Sequence, residues 1–156
     1  QVFIRGGNTF NNLTFNKNVS SIILEEKKTQ TLADFKATGT CGRRIYIGSD
    51  GANPTYILKY SGLVTLEYLD IKNVTILGGA TFTANNSVNL GDAVNWVINP
   101  PAAKNFYWIK GTGNWSDPGH WALTSGGLSD STCIPSNLDN VFFDANYLLP
   151  AVKLLR

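Results

Sequence analysis

The sequence predicts an all-β chain, a right-handed parallel β-helix followed by a loop-rich aromatic segment, and three observations predict it. First, the stretch from Gly62 to Asn99 is poor in charge, rich in Val, Ile, Leu, Thr and Asn, and has no helical period. Within it Val64, Leu66, Leu69 and Ile71 mark short alternating runs, the pattern of half-buried strands. Second, Asn73, Gly78-Gly79, Asn85-Asn86 and Gly91-Asp92 interrupt those runs. These residue types tolerate positive φ or hydrogen-bond their own backbone, so they read as tight bends. Third, Leu24, Ile47, Ile71 and Trp96 recur at nearly equal separations, and Phe35, Leu58 and Phe82 recur with the same spacing. Two interleaved series with one period predict a solenoid of about 24 residues per turn, with three strands and three bends in each. A β-sandwich, whose strands recur roughly every 8–12 residues, is the alternative architecture.

Taken in order, residues 1–99 supply the coils. QVFIR opens as a strand, and NNLTFNKN places Leu13 and Phe15 on one face. SSIILEE and TQTLADF follow, then a bend at Gly39-Thr40-Cys41-Gly42. RRIYIGSDG is a strand with Ile45 and Ile47 inward, ended by an Asp-Gly turn. Pro54 falls in the next loop, where its missing N–H is harmless, and TYILKYSG leads into the central stretch. At Asn99-Pro100-Pro101 the prolines stop any ladder, so residues 100–105 read as a linker. From 106 to 156 the period is lost and aromatic density rises, with Trp108, Trp115 and Trp121 close together among Gly, Asn, Asp and Pro. NVFFDAN then reads as a strand that starts a following β module, and the closing AVKLLR as the beginning of another. The role of Leu148–Arg156 is left open. The lack of Met and of a polar capping turn at either end predicts a piece of a longer protein.

Composition narrows the function classes. Charged residues make up 15% of the 156, against a usual share of about 25%, and 17 Asn and 15 Gly stand in their place. That mix disfavours long helices. The net charge is +2 with scattered basic residues, which predicts no nucleic-acid partner. No apolar run of about 18 residues predicts membrane insertion. Few Lys and Glu beside many Asn and Thr predict an extracellular setting. Cys41 and Cys133 are disulfide candidates whose pairing cannot be read, and with a single histidine they do not compose a zinc site.

Chemistry-bearing residues are few. His120, in SDPGHW, has no nucleophile or second motif beside it and reads as a packed turn residue. Asp50, Asp70 and Asp92 fall on different coils, two of them next to turn residues, so no catalytic residue is assigned. Asp117, Asp139 and Asp144 are weak calcium candidates whose spacing matches no calcium loop; otherwise no cofactor is predicted. Trp108, Trp115 and Trp121 with Tyr107 read either as core or as a sugar-stacking platform, and Trp115 and Trp121 are the candidate ligand contacts. Five N-x-Ser/Thr sequons start at Asn12, Asn18, Asn73, Asn85 and Asn114, as an Asn- and Thr-rich composition predicts.

Two passages together resemble a family. One is GTC, RIYIGSDG, ILKYSG, LEYLDIKN and GGATFTANNSVNLGDAVNWVI between Gly39 and Asn99; the other is YWIKGTGNWSDPGHWALTSGG with CIPSNLDNVFFDAN. They are similar to the repeat modules of very large cell-surface proteins of gliding and related Bacteroidota, exported by the type IX system and implicated in adhesion. In that family the first passage closes a β-helix segment and the second opens the next module. The resemblance implies a surface location, a structural or adhesive role, and partners that are neighbouring modules, another copy or surface glycans. It carries over no catalytic residue, and it places the two cysteines in different modules. The competing expectations are a carbohydrate-active β-helix enzyme (a polysaccharide lyase or glycoside hydrolase), a carbohydrate-binding module, or a spacer stalk.

Overall fold

A computed structural model describes residues 1–16, 18–129 and 132–146 of the chain. The AVKLLR segment and the rest of Leu148–Arg156 lie outside the described residues. The chain packs as two units, Gln1–Pro101 and a second from Ala102 onward.

The first unit is a parallel β-solenoid. Its strands are β1 (Val2–Ile4), β2 (Asn8–Phe15), β3 (Ser21–Leu24), β4 (Thr29–Ala37), β5 (Ile45–Ser49), β6 (Thr55–Leu58) and β7 (Leu63–Glu67). They continue as β8 (Leu69–Lys72), β9 (Val74–Leu77), β10 (Thr81–Asn85), β11 (Val88–Asn89), β12 (Ala93–Val94) and β13 (Trp96–Asn99). Three sheets wrap the core: β1-β3-β5-β8-β11, then β2-β4-β6-β9-β12, then β7-β10-β13. Along the first sheet Val2, Ile22, Ile47, Ile71 and Asn89 stand in line, at steps of unequal length along the chain. The solenoid makes about four turns of about 22 residues each.

Unequal coils correct part of the expected register. Ile47 and Ile71 do stack, but Leu24 lies opposite Ser49, and Trp96 belongs to the third sheet beside Phe82. Leu58 pairs with Thr31 and Leu77 on the outward side of the second sheet, so it is not stacked between Phe35 and Phe82. The reason is corner chemistry. Early coils carry multi-residue loops, such as 38–44 and 50–54, whereas later ones turn on single left-handed residues: Tyr68 (φ 56°), Asn73 (φ 54°) and Asn95 (φ 63°). Asn reaches that conformation readily; Tyr rarely does. Gly78 turns at φ 90° where a Cβ would strike the Lys59 carbonyl, so only glycine serves there.

Alternation along each strand fills the interior. Leu24, Ile45, Ile47, Leu66, Leu69, Ile71, Val74 and Ile76 are buried. A column of rings runs lengthwise through them: Phe15 to Phe35 at 6.2 Å, Phe35 to Phe82 at 6.4 Å, and Phe82 to Trp96 at 5.4 Å between centroids. Buried polar groups are satisfied, as a low-dielectric core requires. Gln30 donates from Nε2 to the Gly6 carbonyl (2.7 Å) and accepts at Oε1 from Asn8 (2.9 Å). Ser87 Oγ accepts from the Leu69 N–H (2.9 Å) and donates to the Asn85 carbonyl (2.7 Å).

Outside, side chains stitch coil to coil. Asn99 donates to Asn85 Oδ1 (2.8 Å), Asn85 donates to Glu67 Oε1 (3.1 Å), and Asn86 donates to Glu67 Oε2 (3.1 Å). Arg44 donates to Asp70 (2.6 Å) and to the Asn86 carbonyl (2.6 Å).

Candidate functional site

The second unit holds the sequence-predicted candidates for contact. Its sheet is β14 (Asn105–Trp108) flanked by β15 (Trp121–Ala122) and β16 (Asn140–Phe142). β14 therefore begins at Asn105, inside the expected linker 100–105. β15 lies antiparallel with Trp108 opposite Trp121, and β16 lies parallel with Tyr107 opposite Phe142. Alternation along β14 buries Phe106 and Trp108.

Trp121 is the hub of this unit. It is fully buried and meets Trp115 (4.7 Å, 71°), Trp108 (4.9 Å, 82°) and Phe106 (6.2 Å, 83°) edge to face. Its indole N–H donates to the Trp115 carbonyl at 2.8 Å. The expectation of Trp121 as a ligand contact is thus corrected: its place in β15 opposite Trp108 sets its indole among the other rings of this unit, where it is core. Trp115 is different. It is 47% exposed and meets Trp121 in a T-shaped contact.

His120 is a packed turn residue. It stacks on Trp108 (4.9 Å, 13°), its Nδ1 lies 3.0 Å from the Ile109 carbonyl, and Nε2 lies 3.7 Å from Asp117. Gly113 lies against the imidazole so closely that a Cβ there would overlap the ring. The calcium candidates are each engaged in a local turn. Asp117 accepts from the Gly119 N–H (2.8 Å) at the start of the 3₁₀ turn Pro118–His120, and Asp144 accepts from the Asn146 N–H (2.9 Å). Asp139 accepts from the Lys104 N–H (2.8 Å) and from the N–H and hydroxyl of Ser136 (both 2.7 Å). Burial pushes its carboxyl up, but these hydrogen bonds outweigh that and hold it below the ordinary range. Among the described residues no three His, Cys, Asp or Glu side chains gather as a metal site would need.

No protein family, curated protein or solved structure matches this chain.

In the solenoid, Asp50 accepts from the Glu26 N–H (2.8 Å), Asp70 pairs with Arg44, and Asp92 sits in a left-handed bend (φ 53°). Beside Asp50, hydrogen bonds from the Asn53 side chain and backbone hold Glu26 below its ordinary value. Cys41 and Cys133 are both disulfide-bonded. One surface feature escaped the sequence reading: Phe142 stacks on Tyr107 (4.9 Å, 18°) while remaining 40% exposed, and Phe143 is 65% exposed. The signal was present, because two consecutive aromatics in extended chain must face opposite sides.

Proposed function

We propose that this chain is a non-catalytic structural and adhesive segment of a large secreted cell-surface protein, of the kind its two motif passages resemble. The observation that carries the reading is the lengthwise continuity of the solenoid. Parallel ladders, the ring column and the Asn–Glu stitching all run from coil to coil along one axis. Such a stack resists bending, and its stability grows by nearest-neighbour contacts, so it can be lengthened without a thicker core. That suits display at a surface. The two solenoid aspartates have structural tasks that suit the non-catalytic half: Asp50 accepts from the Glu26 N–H of the neighbouring coil, and Asp70 pairs with Arg44. Contact with a surface glycan falls to Trp115, whose half-exposed indole offers apolar surface of the kind that packs on a sugar ring.

The test is to incubate the protein with uronic-acid polymers and with an array of neutral and acidic glycans, measuring both product release and retention. We expect no product, and retention that Trp115→Ala abolishes with the circular dichroism spectrum retained and only a modest fall in melting temperature from the lost contact with Trp121. Absence of retention would remove glycan contact and leave a spacer. Product release that disappears on replacing one aspartate, with the fold intact, would make the protein a polysaccharide lyase or glycoside hydrolase instead.

A further inference from the structure

The turn Asp117-Pro118-Gly119-His120 holds the only Asp–Pro bond and the only histidine of the chain, and a display role uses neither. An aspartate carboxyl is a nucleophile that can attack its own main-chain carbonyl and displace the nitrogen of the next residue. Proline closes the competing route. Its nitrogen carries no N–H and cannot attack the carboxyl to form a cyclic imide, so reaction at this residue is directed to the main chain.

The turn arranges donors around that bond. The His120 N–H donates to the Asp117 main-chain carbonyl at 3.1 Å, on the oxygen where charge gathers when the carbonyl is attacked. The Gly119 N–H donates to Asp117 Oδ1 at 2.8 Å and holds the carboxylate within the turn. His120 Nε2 lies 3.7 Å from Asp117 Oδ2. The imidazole is itself fixed, stacked on Trp108 with Gly113 against the ring and Nδ1 3.0 Å from the Ile109 carbonyl. With Nδ1 committed as donor to that carbonyl, Nε2 is the nitrogen that gains and loses a proton. Asp117 is the one charged side chain paired with the imidazole among the described residues, and its side chain is 55% exposed, so water reaches it.

We propose that this turn cleaves its own chain between Asp117 and Pro118 in mild acid. The protonated imidazole shares its proton between Nε2 and Asp117 Oδ2. One carboxyl oxygen bonds to the Asp117 carbonyl carbon, the bond from that carbon to the Pro118 nitrogen breaks, and the nitrogen takes the proton and leaves as a secondary amine. Water then opens the cyclic anhydride and restores both carboxyl groups. The sum is hydrolysis of a single peptide bond, with water as the sole co-reactant. The turn acts once, on itself, and turns over no other substrate, so the proposal does not depend on an adhesive role. Every partner it invokes lies between Trp108 and His120.

Intact-mass measurement of reduced samples tests it, with the whole chain held at about pH 5 and about pH 8, both folded and in urea. The folded protein at the lower pH is expected to yield residues 1–117 and 118–156, at a rate at least about tenfold above that at the higher pH or in urea. The urea arm separates the effect of the turn from the ordinary acid lability of an Asp–Pro bond. Asp117→Asn keeps the oxygen that accepts from Gly119 but removes the carboxyl, and is expected to abolish both fragments with the circular dichroism spectrum retained. His120→Gln is expected to slow scission at the lower pH at least about tenfold and to flatten its pH dependence. A folded protein that stays intact, equal rates in urea and in native buffer, scission undiminished in Asp117→Asn, or a folded His120→Gln variant that cleaves at the native rate would each overturn the proposal.

Discussion

Ile71 and Lys72 are adjacent in β8 and face opposite ways, one fully buried and the other exposed. A carboxylate at the first position has no partner in the core, and burying it costs several kcal/mol or more, a large share of the roughly 5–15 kcal/mol that holds a domain. Ile71→Asp should therefore unfold the solenoid, while Lys72→Asp should change stability by no more than about 0.5 kcal/mol. Thermal melts of the two variants decide this, and equal melting temperatures would remove the register. Leu58→Asp should also be mild, since Leu58 lies on the outward side of β6. In the second unit Trp121→Ala should cost about 3–5 kcal/mol because four rings lose their common neighbour. Gly113→Ala should also destabilise, because the new methyl would displace His120 from its stack on Trp108. Alkylation of native, unreduced protein should find no reactive thiol at Cys41 or Cys133.

At the scale of elements, the Asp139 carboxylate ties the loop from Ser136 to Asp139 to Lys104, the residue before β14, by accepting from its N–H. Asp139 has its pKa lowered in the folded protein from 3.8, so its contribution is present above that value and fades as pH falls through and below it. Acid titration of the second unit, followed by tryptophan emission, should show a loss of stability setting in below about pH 4, which Asp139→Asn removes. At neutral pH that substitution should cost about 1 kcal/mol after solvent screening. Strand existence was largely legible in the sequence, because alternating apolar residues between Asn and Gly bends have one economical arrangement. Register was not. Equal spacing was read from residues of like size, but a coil that turns on one left-handed residue is shorter than one that turns on a loop. Tyr68 gave no sign that it would take such a conformation. The aromatic unit was legible only as a cluster: which indole becomes hub and which stays exposed depends on pairings between β14, β15 and β16 that no period announces.

Over the solenoid as a whole, the coils contract toward its far end. In the first sheet the step from Ile22 to Ile47 is the longest and that from Ile71 to Asn89 the shortest, and in the third sheet the step from Phe82 to Trp96 is shorter still. The strands shorten with it, to two residues in β11 and β12. Stability in a stacked array is shared between neighbours, so the coils flanked on both sides and carrying the longest ladders should open last. Amide hydrogen exchange should therefore be slowest in β4, β5 and β8 and fastest in β11 and β12. Uniform protection across all coils would mean that the solenoid opens in one step.

The ring column has a spectroscopic consequence. Of the chain's four tryptophans only Trp96 lies in the solenoid, and it is the last ring of that column, partly shielded and hydrogen-bonded through Nε1 to the Val74 carbonyl at 3.1 Å. Trp108, Trp115 and Trp121 are coupled to one another in the second unit. Replacing Trp115 and Trp108 with phenylalanine would leave the solenoid with its own fluorophore and the second unit with one. Subtracting the emission of the same variant with Trp96→Phe would leave the spectrum of Trp96 alone, so the first detachment of the final coil becomes visible in the colour of a single residue.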